Sequence, residues 1–216
     1  MVSAPNTSLI GANSEEGGLY ILFMQEDFEL MGYSEVNAYS GGLSNVPVAN
    51  DGFGLSIMAI GDLTGDGIQE VVVSGEHEVN GDKTGQLWFM QLNENGGVVN
   101  DALILASQFT QDPDEAFGAK LELFEDLHGN GFKELMVSSP LADGSVDVGK
   151  IRLISIDMNG NATLVQELGN SIGGMGAIAD GDQFGKGLAY LGSIGTSNNA
   201  FIATGLTGVD GIGTNR

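Results

Sequence analysis

The sequence predicts an all-β fold, and three observations predict it. Glycine is spread through the chain, 35 in 216 residues, so turns are frequent. No apolar spacing of three and four is sustained over the ten or more residues that a helix needs, because Gly or Asn interrupts every candidate. Short apolar runs instead recur in a fixed order behind a repeated Phe-Gly dipeptide.

The Phe-Gly pairs are Phe53-Gly54, Phe117-Gly118 and Phe184-Gly185, spaced 64 and 67 residues apart. Each follows an acidic, turn-like approach: VANDG, DPDEA or ADGDQ. The first strand of each unit lies in FGLSIMAIGD, FGAKLELFED or FGKGLAYLGS. A Gly/Asn loop leads to a second apolar run, EVVVSG, ELMVSSP or AFIATG, and MVSAP at the start of the chain falls in the same row. A Gly-led third strand follows in GGLYILFMQ, GQLWFMQL and GKIRLISID, and a looser fourth in ALILASQF and NATLVQEL. Alternation sets Ile151, Leu153 and Ser155 against Arg152, Ile154 and Ile156, whereas the run Val71-Val72-Val73 suits a strand buried on both faces. Four-stranded units repeated at this length predict a β-propeller, in which each blade buries its faces against its neighbours.

The expected organisation is a partial blade over residues 1–50 (strands 2 to 4), complete blades over 51–112 and 113–170, and a partial blade over 171–216 (strands 1 and 2). About three blades' worth of sequence is therefore present, where propellers usually have four to eight. The expectation is a segment of a longer ring. The alternative is self-association, two copies completing each other's partial blades.

Seven Lys plus Arg against 29 Asp plus Glu give a net charge of −22. Such a surface repels phosphate backbones and anionic membranes, so nucleic acid is not an expected partner. Cysteine is absent, which excludes disulfides and thiolate metal sites. The longest compact apolar run, LYILFM from Leu19 to Met24, is too short to span a bilayer, so no membrane insertion is expected, and no basic-then-apolar signal pattern opens the chain.

The stretch GDLTGDGIQEVVVSG carries the clearest chemistry. Asp62, Thr64 and Asp66 alternate in a tight loop, Gly67 takes the turn, Ile68 can offer its backbone carbonyl, and Glu70 follows at the ninth place. Oxygen ligands at such spacing wrap a hard cation that takes six to eight of them, which suits Ca2+ better than Mg2+. The loop recurs as Asp126, His128, Asn130, Phe132 and Glu134, with His128 at the third place and fewer carboxylates. In the last repeat, SIGTSNNA puts Ser193 and Ala200 where the first and last carboxylates are expected, and no ion is expected there. The competing reading is that Asp-Gly and Asn-Gly are simply good turn formers. An EF-hand does not fit, because both flanks are strands.

Together, the Phe-Gly start, the acidic loop, the run ending in VSG, VSSP or VSAP, and the Gly-led strand resemble the FG-GAP repeat of integrin α-subunit propellers and their bacterial relatives. The resemblance covers essentially the whole chain in staggered copies. It implies a seven-bladed propeller with calcium in a hairpin loop, at the cell surface or outside the cell, serving adhesion or the binding of a protein or polysaccharide ligand. The missing last loop, and VSGEH without its Pro, depart from that pattern.

Catalytic signatures are sparse. There is no G-x-S-x-G elbow, no H-E-x-x-H and no phosphate loop with its Lys, and GLTGVDGIG from Gly205 to Gly213 lacks both Lys and a following helix. His77 reads as an exposed loop histidine, and Trp88, Met24 and Met90 read as packing. Glu26-Asp27, Asp112-Asp114 and Asp180-Asp182 are pairs of the kind glycosidases use, but chance pairs are expected among 29 acids. The expected function is non-enzymatic. Its alternative is an accessory propeller of a secreted hydrolase whose catalytic domain lies elsewhere.

Overall fold

The computed structural model describes residues 1–8, 14–143, 146–193 and 199–207. The rows SIGTSNNA and GLTGVDGIG lie partly outside them. Among the described residues there is no α-helix, and no helix is long and apolar enough to cross a membrane.

Strands β1 (Val2–Ser3), β2 (Gly18–Met24) and β3 (Leu30–Asn37) form one antiparallel sheet in chain order. Strands β4 (Ile57–Gly61) and β5 (Glu70–Gly75) come next. After the small β6 (Glu78–Val79) and β7 (Asp82–Lys83) hairpin, β8 (Gln86–Leu92) and β9 (Val98–Leu105) complete a four-stranded sheet ordered β4-β5-β8-β9. A second four-stranded sheet follows from β10 (Leu121–Leu123), β11 (Leu135–Ser139), β12 (Lys150–Ile156) and β13 (Ala162–Gly169). Strands β14 (Leu188–Ser193) and β15 (Ala200–Thr204) pair by themselves. None of these sheets closes on itself.

Successive sheets share cores. One cluster joins Leu19 and Val36 of the first sheet to Val71, Val73, Trp88 and Met90 of the second. Another joins Val72, Leu87, Phe89 and Ile104 to Leu135, Val137 and Ile154 of the third. The last sets Met136 and Ile151 beside Phe184, with Tyr190 and Ile202 packed against them. The three valines of β5 thus point alternately into two cores, and all six residues of that strand are buried. At about 1.5–3 kcal/mol for each large apolar side chain buried, these shared faces are the main favourable term. Trp88 packs edge-on against Phe53 with ring centroids 4.9 Å apart, and its Nε1 donates to the Asn45 carbonyl at 2.8 Å. Met90 is buried as expected, whereas Met24 is only half-buried.

The Phe-Gly repeat has a backbone reason. The amides of Phe53, Phe117 and Phe184 donate to the carbonyls of Glu16, Thr84 and Val148 at 2.9, 3.2 and 2.8 Å, tying the start of each sheet to the preceding one. The partner strand passes so close that a Cβ on Gly85 would lie 2.1 Å from the Phe117 carbonyl oxygen, and Gly85 has φ +78°. Gly17 and Gly149 repeat this against Phe53 and Phe184. The glycine of Phe-Gly is equally confined: a Cβ on Gly118 would meet Leu87 and Ser74 of the previous sheet at 2.8 Å. Ser74 and Ser138 then accept hydrogen bonds at Oγ from the Ser56 and Lys120 amides, 3.0 and 2.9 Å.

Asp101 of β9 pins the loop from the first sheet, accepting from the Ser44 amide (2.7 Å) and hydroxyl (2.8 Å) and from the Asn45 amide (2.9 Å) and side chain (2.7 Å). Partial burial raises its carboxyl, but these donors together hold it below the ordinary 3.8.

Gly85→Ala should lose more than about 3 kcal/mol in urea denaturation, because strained φ and a backbone clash coincide. Gly81→Ala, at φ +94° with nothing near its Cβ, should lose only about 1 kcal/mol. Asp101→Ala should cost about 1–2 kcal/mol after allowing for solvent screening. Since the folded carboxyl is held low, its contribution is present above 3.8 and disappears as pH falls through the folded value. Melting curves of parent and variant should therefore differ at neutral pH and converge in acid.

Candidate metal site

The β4–β5 connection is a hairpin whose register slips between Ala59 and Gly61, so that Gly61 faces Glu70. The loop starts at Asp62, whose Oδ1 accepts from the Gly65 and Asp66 amides at 2.7 and 3.1 Å, and whose Oδ2 accepts from Gly67 at 2.8 Å. Short polar side chains that satisfy their own backbone in this way fold the loop before any ion is considered. The Asp66 carboxylate accepts from the Ile68 amide at 2.8 Å. Glu70 reaches back from the buried strand: its Oε2 accepts from the Leu63 amide at 2.5 Å, and its Oε1 from the Thr64 hydroxyl at 3.1 Å. The Ile68 side chain tucks against the core between the first two sheets.

Oxygens of Asp62, Asp66 and Glu70 consequently lie within 4.8 Å of one another, and these three groups could hold a metal ion. Glu70 is buried, Asp62 half-buried and Asp66 exposed, so the cluster is anchored on its inner side and open to solvent on the other. The Gly67 amide, followed by those of Gly65 and Asp66, outweighs partial desolvation and holds the Asp62 carboxyl below its ordinary 3.8. An ionised, oxygen-only donor set suits a hard cation.

The second loop repeats the pattern nearly bond for bond. Asp126 accepts from Asn130 at 3.1 Å and Gly131 at 2.7 Å, Asn130 Oδ1 from the Phe132 amide at 2.9 Å, and Glu134 Oε2 from the Leu127 amide at 2.8 Å. Phe132 packs against the core, as Ile68 does. Desolvation raises the Asp126 carboxyl, but the amides of Gly131, Asn130, Gly129 and His128 bring it below 3.8. Two of the four differences between the loops fall on candidate ligand side chains. Neutral Asn130 stands for Asp66, and the imidazole of His128 takes the Thr64 role, with Nδ1 2.5 Å from Glu134 Oε1. Among the described residues, three acidic groups converge in the first loop alone.

In the last sheet, Gly192 faces Phe201 as Gly61 faces Glu70. Phe201, rather than Ala200, therefore takes the row of the last carboxylate, since it is the ninth residue from Ser193 as Glu70 is from Asp62, and the bulge is the same in both hairpins. The β12–β13 hairpin shows the same turn chemistry without a cluster of acids: Asp157 accepts from the Asn159 and Asn161 amides at 2.8 and 2.9 Å.

Members of the other acidic pairs accept from backbone amides. Asp27 accepts from the Glu29 amide (3.2 Å), Asp114 from Lys83 (2.8 Å) and Asp182 from Ala179 (3.0 Å). His77 is not a free loop side chain: it is half-buried, with Nδ1 2.7 Å from Asp51 Oδ1.

Sequence reasoning missed one buried ion pair. Arg152, 1% exposed, binds Glu115, 0% exposed, through two hydrogen bonds of 2.9 Å, with Ser139 Oγ at 2.9 Å and Glu167 at 3.0 Å beside it. Burial pushes the Glu115 carboxyl up, opposed by the Arg152 charge. Arg152 fills the strand position that Trp88 occupies one sheet earlier, its guanidinium 5.9 Å from the Phe117 ring centroid. An arginine in an otherwise apolar strand was the available signal, but its partner lies 37 residues away.

No protein-family model matches the chain, and no curated protein matches it significantly in sequence.

Asp66→Asn alters an exposed ligand candidate and should leave the melting temperature of metal-free protein nearly unchanged while weakening divalent-ion binding at least about tenfold, as read by calorimetric titration. Asp126→Asn should leave that binding step in place.

Proposed function

We propose that this chain is an array of calcium-stabilised β-propeller blades of the FG-GAP type, acting outside the cell or at its surface as an adhesive, ligand-binding or scaffolding element rather than as an enzyme. The observation that carries the reading is the convergence of Asp62, Asp66 and Glu70 in a strand-flanked hairpin. The order of the two four-stranded sheets and the cores shared between successive sheets support the propeller part. The recurrent Phe-Gly contacts support the FG-GAP part.

Under this reading Ca2+ has a structural task. Three acidic groups held together repel one another, and a divalent ion converts that repulsion into attraction while fixing the loop to buried Glu70. Thr64 and the Ile68 carbonyl complete the first site. The second loop, with Asp126, His128, Asn130, Phe132 and Glu134, is the weaker of the two, because neutral Asn130 replaces the Asp66 carboxylate and an imidazole replaces the Thr64 oxygen. Dependence on Ca2+ at such a site fits extracellular calcium supply. A protein or polysaccharide ligand would then meet the loops between strands, where sequence varies freely on a rigid frame.

Calcium at about one hundred times its dissociation constant should stabilise the fold by about 2.7 kcal/mol, which is roughly 5–10 °C in melting temperature for a chain of this size. Equimolar magnesium should give a much smaller shift, and Asp66→Asn, at the same calcium concentration, should cut the calcium effect to about 1.4 kcal/mol or less. An unchanged melting temperature at millimolar calcium would refute the metal part of the proposal.

A further inference from the structure

We infer that a pocket between the second and third sheets, at the strand ends away from the acidic loops, binds a peptide segment of a partner protein through one carboxylate and an aliphatic side chain beside it. The inference rests on the ligand-binding part of the function proposed above and is independent of the metal. Its ground is a local reversal of charge. Acids outnumber Lys plus Arg by 29 to 7 in the chain, yet Lys83, Lys120 and Lys186 all border this pocket, and among the described residues Glu76 is the one acid that does.

Placement follows from the fold. Leu55, Ala119 and Lys186 come directly after the Phe-Gly dipeptides and so precede β4, β10 and β14, whereas the loops of Asp62 and Asp126 follow β4 and β10. The repeat itself does not demand these lysines. Phe53-Gly54 continues as Leu55-Ser56, Phe117-Gly118 as Ala119-Lys120 and Phe184-Gly185 as Lys186-Gly187, so the two lysines stand in different rows. Lys83 comes from the β6–β7 hairpin, which is held against the approach to Phe117: its amide donates to Asp114 at 2.8 Å and its carbonyl accepts from the Ala116 amide at 2.7 Å. The Leu141 amide fixes another wall by donating to the Glu115 carbonyl at 3.2 Å. The pocket is therefore preformed.

The three ammonium groups differ in what answers them. Lys83 Nζ lies 2.7 Å from Glu76, with Glu78 and Asp114 also acting on it, so its charge is met within the protein. Lys186 Nζ donates to the neutral Gln183 side chain at 3.1 Å. Among the described residues neither Lys186 nor Lys120 enters an ion pair, and both are exposed. Two uncompensated cations beside Leu55, Ala119, Pro140 and Leu141 match a carboxylate with an aliphatic neighbour.

Size and charge then choose the partner. At about 260 Å³ the pocket is smaller than the about 300–1,000 Å³ of sites that enclose a free ligand, so it anchors one or two side chains of something larger. A polyanion such as an acidic polysaccharide would meet the net charge of −22 along its whole length, whereas a single carboxylate meets it once. Phe117, the one aromatic residue in the lining, is 0% exposed and offers a sugar no face to stack on.

An NMR titration of the full chain in calcium-free buffer tests this, with the peptide acetyl-Gly-Leu-Glu-Gly-amide as probe. The peptide should bind and shift the amides of Lys120 and Lys186, and its neutral counterpart with Gln for Glu should bind at least about tenfold more weakly. Lys120→Gln and Lys186→Gln together should weaken binding by a similar factor, while Lys133→Gln, an equal loss of charge at an exposed position outside the pocket, should leave it unchanged. Adding calcium should not alter peptide affinity, so a missing calcium shift in melting temperature bears on the metal alone. Absence of peptide binding would overturn the inference. Binding that survives the paired lysine substitutions would overturn the site while keeping the ligand-binding reading, and an equal loss in Lys133→Gln would reduce the effect to overall charge and overturn it too. Tighter binding of tetragalacturonate than of the peptide would overturn the choice of partner.

Discussion

Everything in this fold depends on how closely consecutive sheets approach, and that approach is set where a glycine backbone lies against the phenylalanine that opens the next sheet. Gly17 meets Phe53, Gly85 meets Phe117 and Gly149 meets Phe184, each at a separation that leaves no room for a Cβ. At each junction the amide of the phenylalanine and that of the residue before it both donate to the preceding segment. The phenylalanine rings are then fully or almost fully buried, and the second strand of every internal sheet has a core on both sides. A continuous valine run follows from that geometry, since a strand with two apolar neighbours has no solvent face to serve.

The same constraint explains where polarity is tolerated. A strand residue whose side chain must cross a closed junction needs a partner inside it, and Arg152 has one in Glu115. Arg152 takes the strand position of Trp88, and Glu115 stands two residues before Phe117 as the buried Asp51 does before Phe53. Replacing either ion alone would strand the other in a dry site, which is why such a pair is more easily kept than lost. Hairpin loops between first and second strands escape the squeeze. There the chain can gather Asp62, Asp66 and Glu70, with Glu70 rooted in the buried strand and Asp66 open to water.

The all-β character was legible because it rests on local signals: glycine breaking every helical period, and apolar runs of strand length. The first acidic loop was legible for a similar reason, its candidate ligands lying within nine residues of each other. What escaped was mostly non-local. Arg152 lies in β12 and Glu115 in the loop before β10, Tyr190 donates to Glu125 from across a sheet junction and has its pKa pushed up to about 12, and His77 is fixed by Asp51. The exchange of Ala200 for Phe201 was within reach of the sequence, since Phe201 is the ninth residue from Ser193 as Glu70 is from Asp62. The His128 contact with Glu134 needed the folded loop.

Native-state hydrogen exchange at the amides of Phe53, Phe117 and Phe184 tests the central claim most directly, because each donates across a sheet junction. The account predicts that all three exchange as slowly as the central strand amides of β5 and β11, opening only with the whole fold. Rapid exchange at these amides, with β5 and β11 still protected, would contradict it, since the sheets would then hold together without the contacts assigned to the Phe-Gly repeat.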